Sequence, residues 1–418
     1  MNKRQFLKTL SLAGLTGSQF LPMLEKLVQK NEHRSPQELA ADEDFWANIR
    51  QGYRLKPDYI NLENGYYCFI PRYILERYQE YIEDINYQGS WYMRTVLWHN
   101  RDAIRARLAE TAGCEPGEIA ITRNTTESLD TVIGGFPWQT GDEAVMSEQD
   151  YFSMLDMFKL QAQRHGIVNK RINVPMHPTS DEEVVNAYAQ AITPKTKLLM
   201  VCHMVNITGH ILPIRKICDM AHSRGVEVMV DGAHAFAHID FKIPDLGCDY
   251  YGASLHKWLS APLGSGLLYV KQDKIEKLWP MMAHMGYEGA DIHRINHIGT
   301  HPAATDLAIG DALDYYHMIG AERKEARLRY LQEYWSRQVR ELPHIQVNTP
   351  AQSQRACGIA NVGIKGMKPA DMADTLLKKH HIWTVAIDGA GVQGCRISPN
   401  VYTTTKELDV FVKALKEM

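Results

Sequence analysis

From about Tyr59 onward, short apolar runs alternate with longer amphipathic stretches. That is the pattern of βα units around a mostly parallel sheet. Residues 117–122 read as a strand and 125–134 as a helix; 144–146 is a second strand and 197–205 a third, followed by a turn at Thr208-Gly209 and a helix through Ser223. A fourth strand covers 226–230 and ends on Asp231, and 264–270 reads as a strand leaving a Pro/Gly turn. The middle of the chain is therefore one α/β domain. Near Ala308 the pattern changes, because 307–342 is long, charged and helical in period and stops before Pro343. Beyond it the order is strand (345–347), strand (358–364), helix (369–379), strand (383–387), strand (395–398) and helix (405–416), the last opened by the capping-box pair Thr404 and Glu407. This ββαββα order describes a small α+β domain beside the large one. The divisions that follow are an N-terminal segment at 1–40, a large domain at 41–310 and a small domain at 311–418, with no core element expected before about Asp44.

Composition removes several classes of function. A chain of 418 residues has room for two or three domains at about 150 residues each. With 45% hydrophobic and 23% charged residues it has ordinary globular composition, which excludes a disordered or coiled-coil chain. A net charge of −3 leaves no basic footprint for nucleic acid. Seven scattered cysteines without a CxxC pair argue against both a disulfide framework and a zinc ribbon. His380-His381 and the set His284, His293 and His297 lack an H-E-x-x-H core, so a metal hydrolase is a weak reading and no metal is expected.

The N-terminus carries Lys3-Arg4-Gln5-Phe6-Leu7-Lys8 ahead of a modestly apolar stretch at 9–24. It resembles a twin-arginine export leader in which Lys3 replaces the first arginine, and Leu39-Ala40-Ala41 is a candidate cleavage site. The stretch is too short and too rich in Gly and Ser for a stable membrane anchor. The expectation is a periplasmic protein exported in folded form; the alternative is a cytoplasmic enzyme with an amphipathic N-terminal helix.

Two segments carry the chemistry. Asp231-Gly232-Ala233-His234 sets an acid at the C-terminal end of a strand, where open α/β sheets present ligand-binding residues, although a strand-end Asp also caps turns. Ser254-Leu255-His256-Lys257-Trp258 follows, then Ala261-Pro262-Leu263-Gly264-Ser265-Gly266. A lone lysine is usually a solvated surface group. Together, however, the two segments resemble the pyridoxal-phosphate enzymes of fold type I, and in particular the class V aminotransferase family, over a region from about residue 59 to the end. The resemblance implies a large, mostly parallel α/β domain of the seven-stranded type plus a small C-terminal α+β domain, with pyridoxal 5'-phosphate as cofactor. It makes Lys257 the residue of the internal aldimine and Asp231 the partner of the pyridine nitrogen. The physics suits both roles. A desolvated lysine in a cationic pocket loses its proton more easily, and a carboxylate keeps the ring nitrogen protonated.

Further site residues follow from the same resemblance. Arg123-Asn124-Thr125-Thr126-Glu127 lies between a strand and a helix; it reads as an anion site for the cofactor phosphate through Thr125 and Thr126, or as an ordinary N-cap with Glu three residues on. Ser254 and His256 complete the phosphate set, His234 belongs to the cofactor group, Asn206 is matched to the phenolic oxygen, and Tyr151 is matched to the ring stack, a place Phe152 could also fill. Gly299-Thr300 resembles the element that reaches the phosphate of a neighbouring subunit, which implies a homodimer with shared sites. Arg396 is matched to the substrate α-carboxylate. Asn64-Gly65 is matched to the substrate-side loop, with Glu63 in place of the commoner Asn.

Residues 383–393 hold no cysteine, unlike the persulfide-forming members of the family, and the run from Trp258 to Gly264 is closest to the isopenicillin N epimerase-like branch. The activity implied is that of an aminotransferase or epimerase acting at the α-carbon of an amino-acid-type substrate, a small-molecule amino acid or an amino-acid-containing compound. The alternatives are a lyase (β/γ-elimination, desulfurase-like) and a regulator that binds the cofactor without catalysis.

Overall fold

The computed structural model describes residues 17–418, so the leader-like motif from Lys3 to Lys8 lies outside the described residues. The strands are β1 (Ile60–Asn61), β2 (Ile119–Thr122), β3 (Glu143–Ser147), β4 (Val168–Ile172), β5 (Thr196–Cys202), β6 (Glu227–Asp231), β7 (Tyr250–Ser254), β8 (Gly266–Val270), β9 (Ile345–Val347), β10 (Ala360–Ile364), β11 (Ile382–Trp383), β12 (Val385–Gly389) and β13 (Val392–Ile397). Seven of them form one sheet in the order β2-β8-β7-β6-β5-β3-β4. Strands β3 to β7 run parallel, and β8 is antiparallel to β7 and β2. Every residue of β3, β7 and β8 is buried, as expected for strands covered on both faces by helices.

The register decides where chemistry collects. Cys202 pairs with Asp231, Asp231 with Gly252, and Ser254 with Gly266, which in turn faces Thr122. The ends of β5, β6 and β7 and the exit of β2 therefore share one edge of the sheet. A glycine at 266 allows this, because a Cβ there would stand 2.7 Å from the backbone of Asn124.

The small domain is an antiparallel sheet in the order β12-β13-β10-β9, packed on helices Pro369–His380 and Thr405–Glu417 around Trp335, Phe411 and Leu376. The Thr404/Glu407 capping box is present. The N-terminal side of the chain joins this layer, since β1 pairs in parallel with β11, Glu63 bridges to Ser398 and Leu62 lies in the small-domain core.

Four expectations change. The strands β4 and β7 were not foreseen; the long helix at 307–342 breaks at Gly320 (φ 90°) into Ala303–Ile319 and Ala321–Ser336; and the strand at 383–387 is split between β11 and β12. The core also begins well before Asp44. Phe20 and Leu24 on helix Gly17–Lys30, and Leu39 after it, are fully buried in the main core. Gly52 leaves room for the Phe20 ring, which a Cβ would meet at 2.3 Å.

Candidate active site

A cavity of about 320 Å³ opens at the shared sheet edge, with walls from the large domain, the small domain and the 65–66 loop. Asp231 closes its floor, 3% exposed, with Oδ1 accepting the Ala233 amide at 2.9 Å. The turn after it needs glycine, because a Cβ on Gly232 would stand 1.9 Å from Cζ of Tyr251. Burial pushes the Asp231 carboxyl above its usual range, while the Ala233 amide and Lys257 pull it back.

Lys257 follows β7 on the loop that runs through Ser260, whose φ of 62° is in the left-handed region. Its Nζ stands 3.2 Å from Nε2 of His234, whose Nδ1 faces the indole Nε1 of Trp258 at 3.4 Å. An indole can only donate, so Nδ1 accepts and the His234 proton sits on Nε2, aimed at the lysine nitrogen. Such a contact favours the neutral amine. Burial accordingly brings Lys257 down to about 8, with Asp231 opposing and Arg396 assisting, and burial also holds His234 neutral, well below its ordinary range.

The anion site and the cap are one structure. Asn124 caps helix Thr125–Gly135 by accepting the Glu127 amide, and Ser254 Oγ takes the Thr125 amide at 2.9 Å and meets Thr125 Oγ1 at 2.7 Å. Thr126 and His256 complete the rim. Arg123 is exposed and paired with Glu127 (3.0 Å). Among the buried polar atoms without a partner among the described residues, Asn206 Oδ1 and His256 Nδ1 belong to residues that line the cavity. A helix N-terminus with hydroxyls, a lysine whose ammonium burial destabilises, a buried carboxylate and these two orphaned atoms fit the phosphate, aldehyde, ring nitrogen and phenolic oxygen of pyridoxal phosphate.

The remaining expected residues divide. Tyr151 lines the cavity, whereas Phe152 is 64% exposed outside it. Thr300 is exposed and does not line this chain's cavity. Arg396 lines it, but Nε and Nη2 form a two-point pair with Glu63 (3.0 and 2.6 Å). Asn64 does not line it. Its amide donates to Ser398 O (2.6 Å), and its oxygen accepts from Asn61 (2.8 Å) and Tyr402 (2.6 Å), so its side chain ties the loop to the small domain. Two residues that the sequence did not single out stand close by. Cys202 lines the wall next to Asp231, and buried Lys324, brought to about 8 by burial, donates to the carbonyl of Trp258 and so braces the lysine loop from behind. Nothing in the charged helical pattern around Lys324 marks it as buried. No group of three or more His, Cys, Asp or Glu among the described residues is placed to hold a metal.

A mostly parallel seven-stranded sheet that sets an aspartate and a lysine at adjacent strand ends, above a helix N-terminus, defines a pyridoxal-phosphate enzyme of fold type I. The chain belongs to the class V aminotransferase family, whose model (Aminotransferase class-V) matches residues 68–411. It is 27% identical to the isopenicillin N epimerase of Streptomyces clavuligerus over 391 residues, covering 88% of this chain and 97% of that one. A probable cysteine desulfurase of Synechocystis sp. is 26% identical over 406 residues, covering 88% and 94%. In fold, the apo cysteine desulfurase of Thermococcus onnurineus NA1 superposes with a TM-score of 0.79 at 22% identity, covering 88% and 97%.

Proposed function

We propose that this pyridoxal-phosphate enzyme acts at the amine-bearing carbon of an amino-acid-type substrate as an epimerase or aminotransferase, with Lys257 holding the cofactor. The observation that carries the reading is buried Lys257 Nζ, 3.2 Å from His234 Nε2 at the sheet end that also holds Asp231, with its ammonium lowered to about 8 by burial so that the neutral amine that attacks an aldehyde is readily reached. Bound cofactor supplies the aldehyde and an electron sink. Asp231 would keep the ring nitrogen protonated, Thr125, Thr126, Ser254 and His256 would hold the phosphate, Asn206 the phenolic oxygen and Tyr151 the ring face. Once substrate has replaced it, Lys257 is the base that moves the proton at the reacting carbon. A lyase reaction, β/γ-elimination or desulfurase-like, is the second reading, because such enzymes are among the relatives; its persulfide form would need an accessible thiol. Cys395 is buried against Pro369 in the small-domain core, and Cys202, the cysteine that lines the cavity, has its thiol pushed well up by burial.

The exposed Gly299-Thr300 element supports a homodimer in which each chain reaches its partner's site. The Lys3-Arg4-x-Phe6-Leu7-Lys8 motif supports export to the periplasm. Processing that spares the core would then cut before Phe20 rather than at Ala41, because Phe20, Leu24 and Leu39 are core residues. Borohydride reduction of the protein with pyridoxal phosphate, followed by peptide mass mapping, should place the adduct on Lys257, and Lys257→Ala should lose the adduct and at least about 100-fold in turnover. A protein that cannot be reconstituted, or an adduct on another lysine, overturns the reading.

A further inference from the structure

The wall of the cavity opposite Lys257 is already paired. Arg396 offers five N–H donors. Three are engaged inside the chain, Nε with Glu63 Oε2 at 3.0 Å, Nη2 with Glu63 Oε1 at 2.6 Å and Nη1 with the Asn206 carbonyl at 3.3 Å. Glu63 is pinned in turn, because Oε1 also accepts the Tyr66 amide at 2.9 Å and its backbone bridges to Ser398. The guanidinium lies against Gly65, where a Cβ would stand 2.7–2.9 Å from Cζ, Nε and Nη2. Neither residue is more than 8% exposed.

A forked, desolvated guanidinium–carboxylate pair of this kind is strong and geometrically specific, and stripping one partner from it is costly. An incoming carboxylate therefore meets a compensated arginine. Its two-point edge through Nε and Nη2 is taken, two donors remain at the tip, and a fixed negative charge lies alongside. Like charge at a subsite is how a protein rejects one ligand class in favour of another.

We propose that Glu63 is a specificity-determining residue that closes the Arg396 fork to substrate carboxylates, so that the preferred reacting amine sits on a carbon bearing no free carboxylate, such as the terminal amine of an ω-amino acid. The proposal rests on the pyridoxal-phosphate reading and narrows it, because a terminal carbon with two hydrogens has no configuration to invert and leaves the aminotransferase branch for such a substrate. It also replaces the expectation that Arg396 forks onto an α-carboxylate.

The test uses reconstituted enzyme and isomeric pairs, α-alanine against β-alanine and 2-aminobutyrate against 4-aminobutyrate, followed by the rate at which the cofactor absorbance changes. Wild type is expected to favour the ω member of each pair at least tenfold. Glu63→Gln keeps the volume and an acceptor for the Tyr66 amide but unmasks the cation, and should shift the ratio at least tenfold toward the α member. A second readout needs no turnover. Succinate, titrated by its shift of the visible band, should bind Glu63→Gln at least tenfold more tightly than wild type, and Arg396→Gln added to that variant should abolish the gain. A wild type that favours the α members overturns the proposal, as does a folded Glu63→Gln with unchanged ratio and unchanged succinate affinity. If melting curves show that the variant does not fold, the wild-type ratio decides; if no isomer reacts, the succinate titration does. Absence of the Lys257 adduct would instead defeat the cofactor assignment, so the two failures are distinguishable.

Discussion

At the sheet end of the cavity, Asn206 Oδ1 and His256 Nδ1 are buried without a partner among the described residues, whereas at the small-domain end Arg396, Glu63, Asn64, Ser398 and Tyr402 pair with one another. A buried polar atom left unpaired costs free energy until something fills it. The first wall is thus incomplete until a ligand arrives, whereas the second is largely paired within the chain. Affinity for cofactor should depend on the first wall and integrity of the fold on the second.

Asn64→Ala attacks the paired wall and should have the largest effect. It removes the donor to Ser398 O and the acceptor for Asn61 and Tyr402, all at a residue that is 0% exposed. Unmade buried hydrogen bonds cost about 1–3 kcal/mol each, so a loss of roughly 3 kcal/mol in denaturant unfolding of the apo-protein is expected, with cofactor affinity unchanged. An Asn64→Ala protein of normal stability and weakened cofactor binding would invert the comparison.

Asp231→Asn attacks the other wall. The fold should hold, because the amide oxygen can still accept from Ala233, but the ring nitrogen loses its charged partner. A hydrogen bond to a charged group is worth roughly 1.5–3 kcal/mol, which at about 1.4 kcal/mol per decade is at least tenfold in turnover. Turnover close to wild type, measured beside an unchanged melting curve, would make Asp231 a turn cap and nothing more.

The same contrast explains what could be read from the chain. The sheet end comes from short contiguous segments, Asp231-Gly232-Ala233-His234 and Ser254 to Lys257, each laid down at the end of one strand, so residue order carried the geometry. The paired wall joins residues 333 positions apart, Glu63 and Arg396, and neither segment signals the other. Asn64 looked like a substrate residue because its neighbours match a substrate loop; only the structure shows its amide turned into the small domain. Strand β4 escaped notice because Val168–Ile172 is a polar, half-exposed edge strand without an apolar run, and Phe20 and Leu24 were hidden in a segment that reads as a leader. Burial of such residues depends on surfaces that arrive much later in the sequence.

The gentlest test titrates Lys257. Burial lowers its ammonium to about 8, Asp231 pulls it up and Arg396 pushes it down, whereas a solvated lysine sits near 10.4. The neutral share should then rise from about one in eleven at pH 7 to about ten in eleven at pH 9, so the rate of capture of pyridoxal phosphate by apo-protein, read by stopped-flow absorbance, should increase about tenfold and level off. An ordinary lysine would instead gain about 100-fold between pH 7 and 9 and go on rising until about pH 10.4. The linkage has a definite sign, because between about pH 8 and 10.4 the unfolded chain holds the proton that the folded chain has released, so Lys257 makes stability rise with pH across that window. Both walls bear on this one number, and removing a carboxylate from either should lower it. Asp231→Asn removes the upward pull and should move the midpoint of capture below 8, and Glu63→Gln, by unmasking the Arg396 cation, should move it down as well. A midpoint that ignores Glu63 would mean that the pairing at the far wall is electrically invisible to the lysine, and the two ends of the cavity would have to be treated as independent.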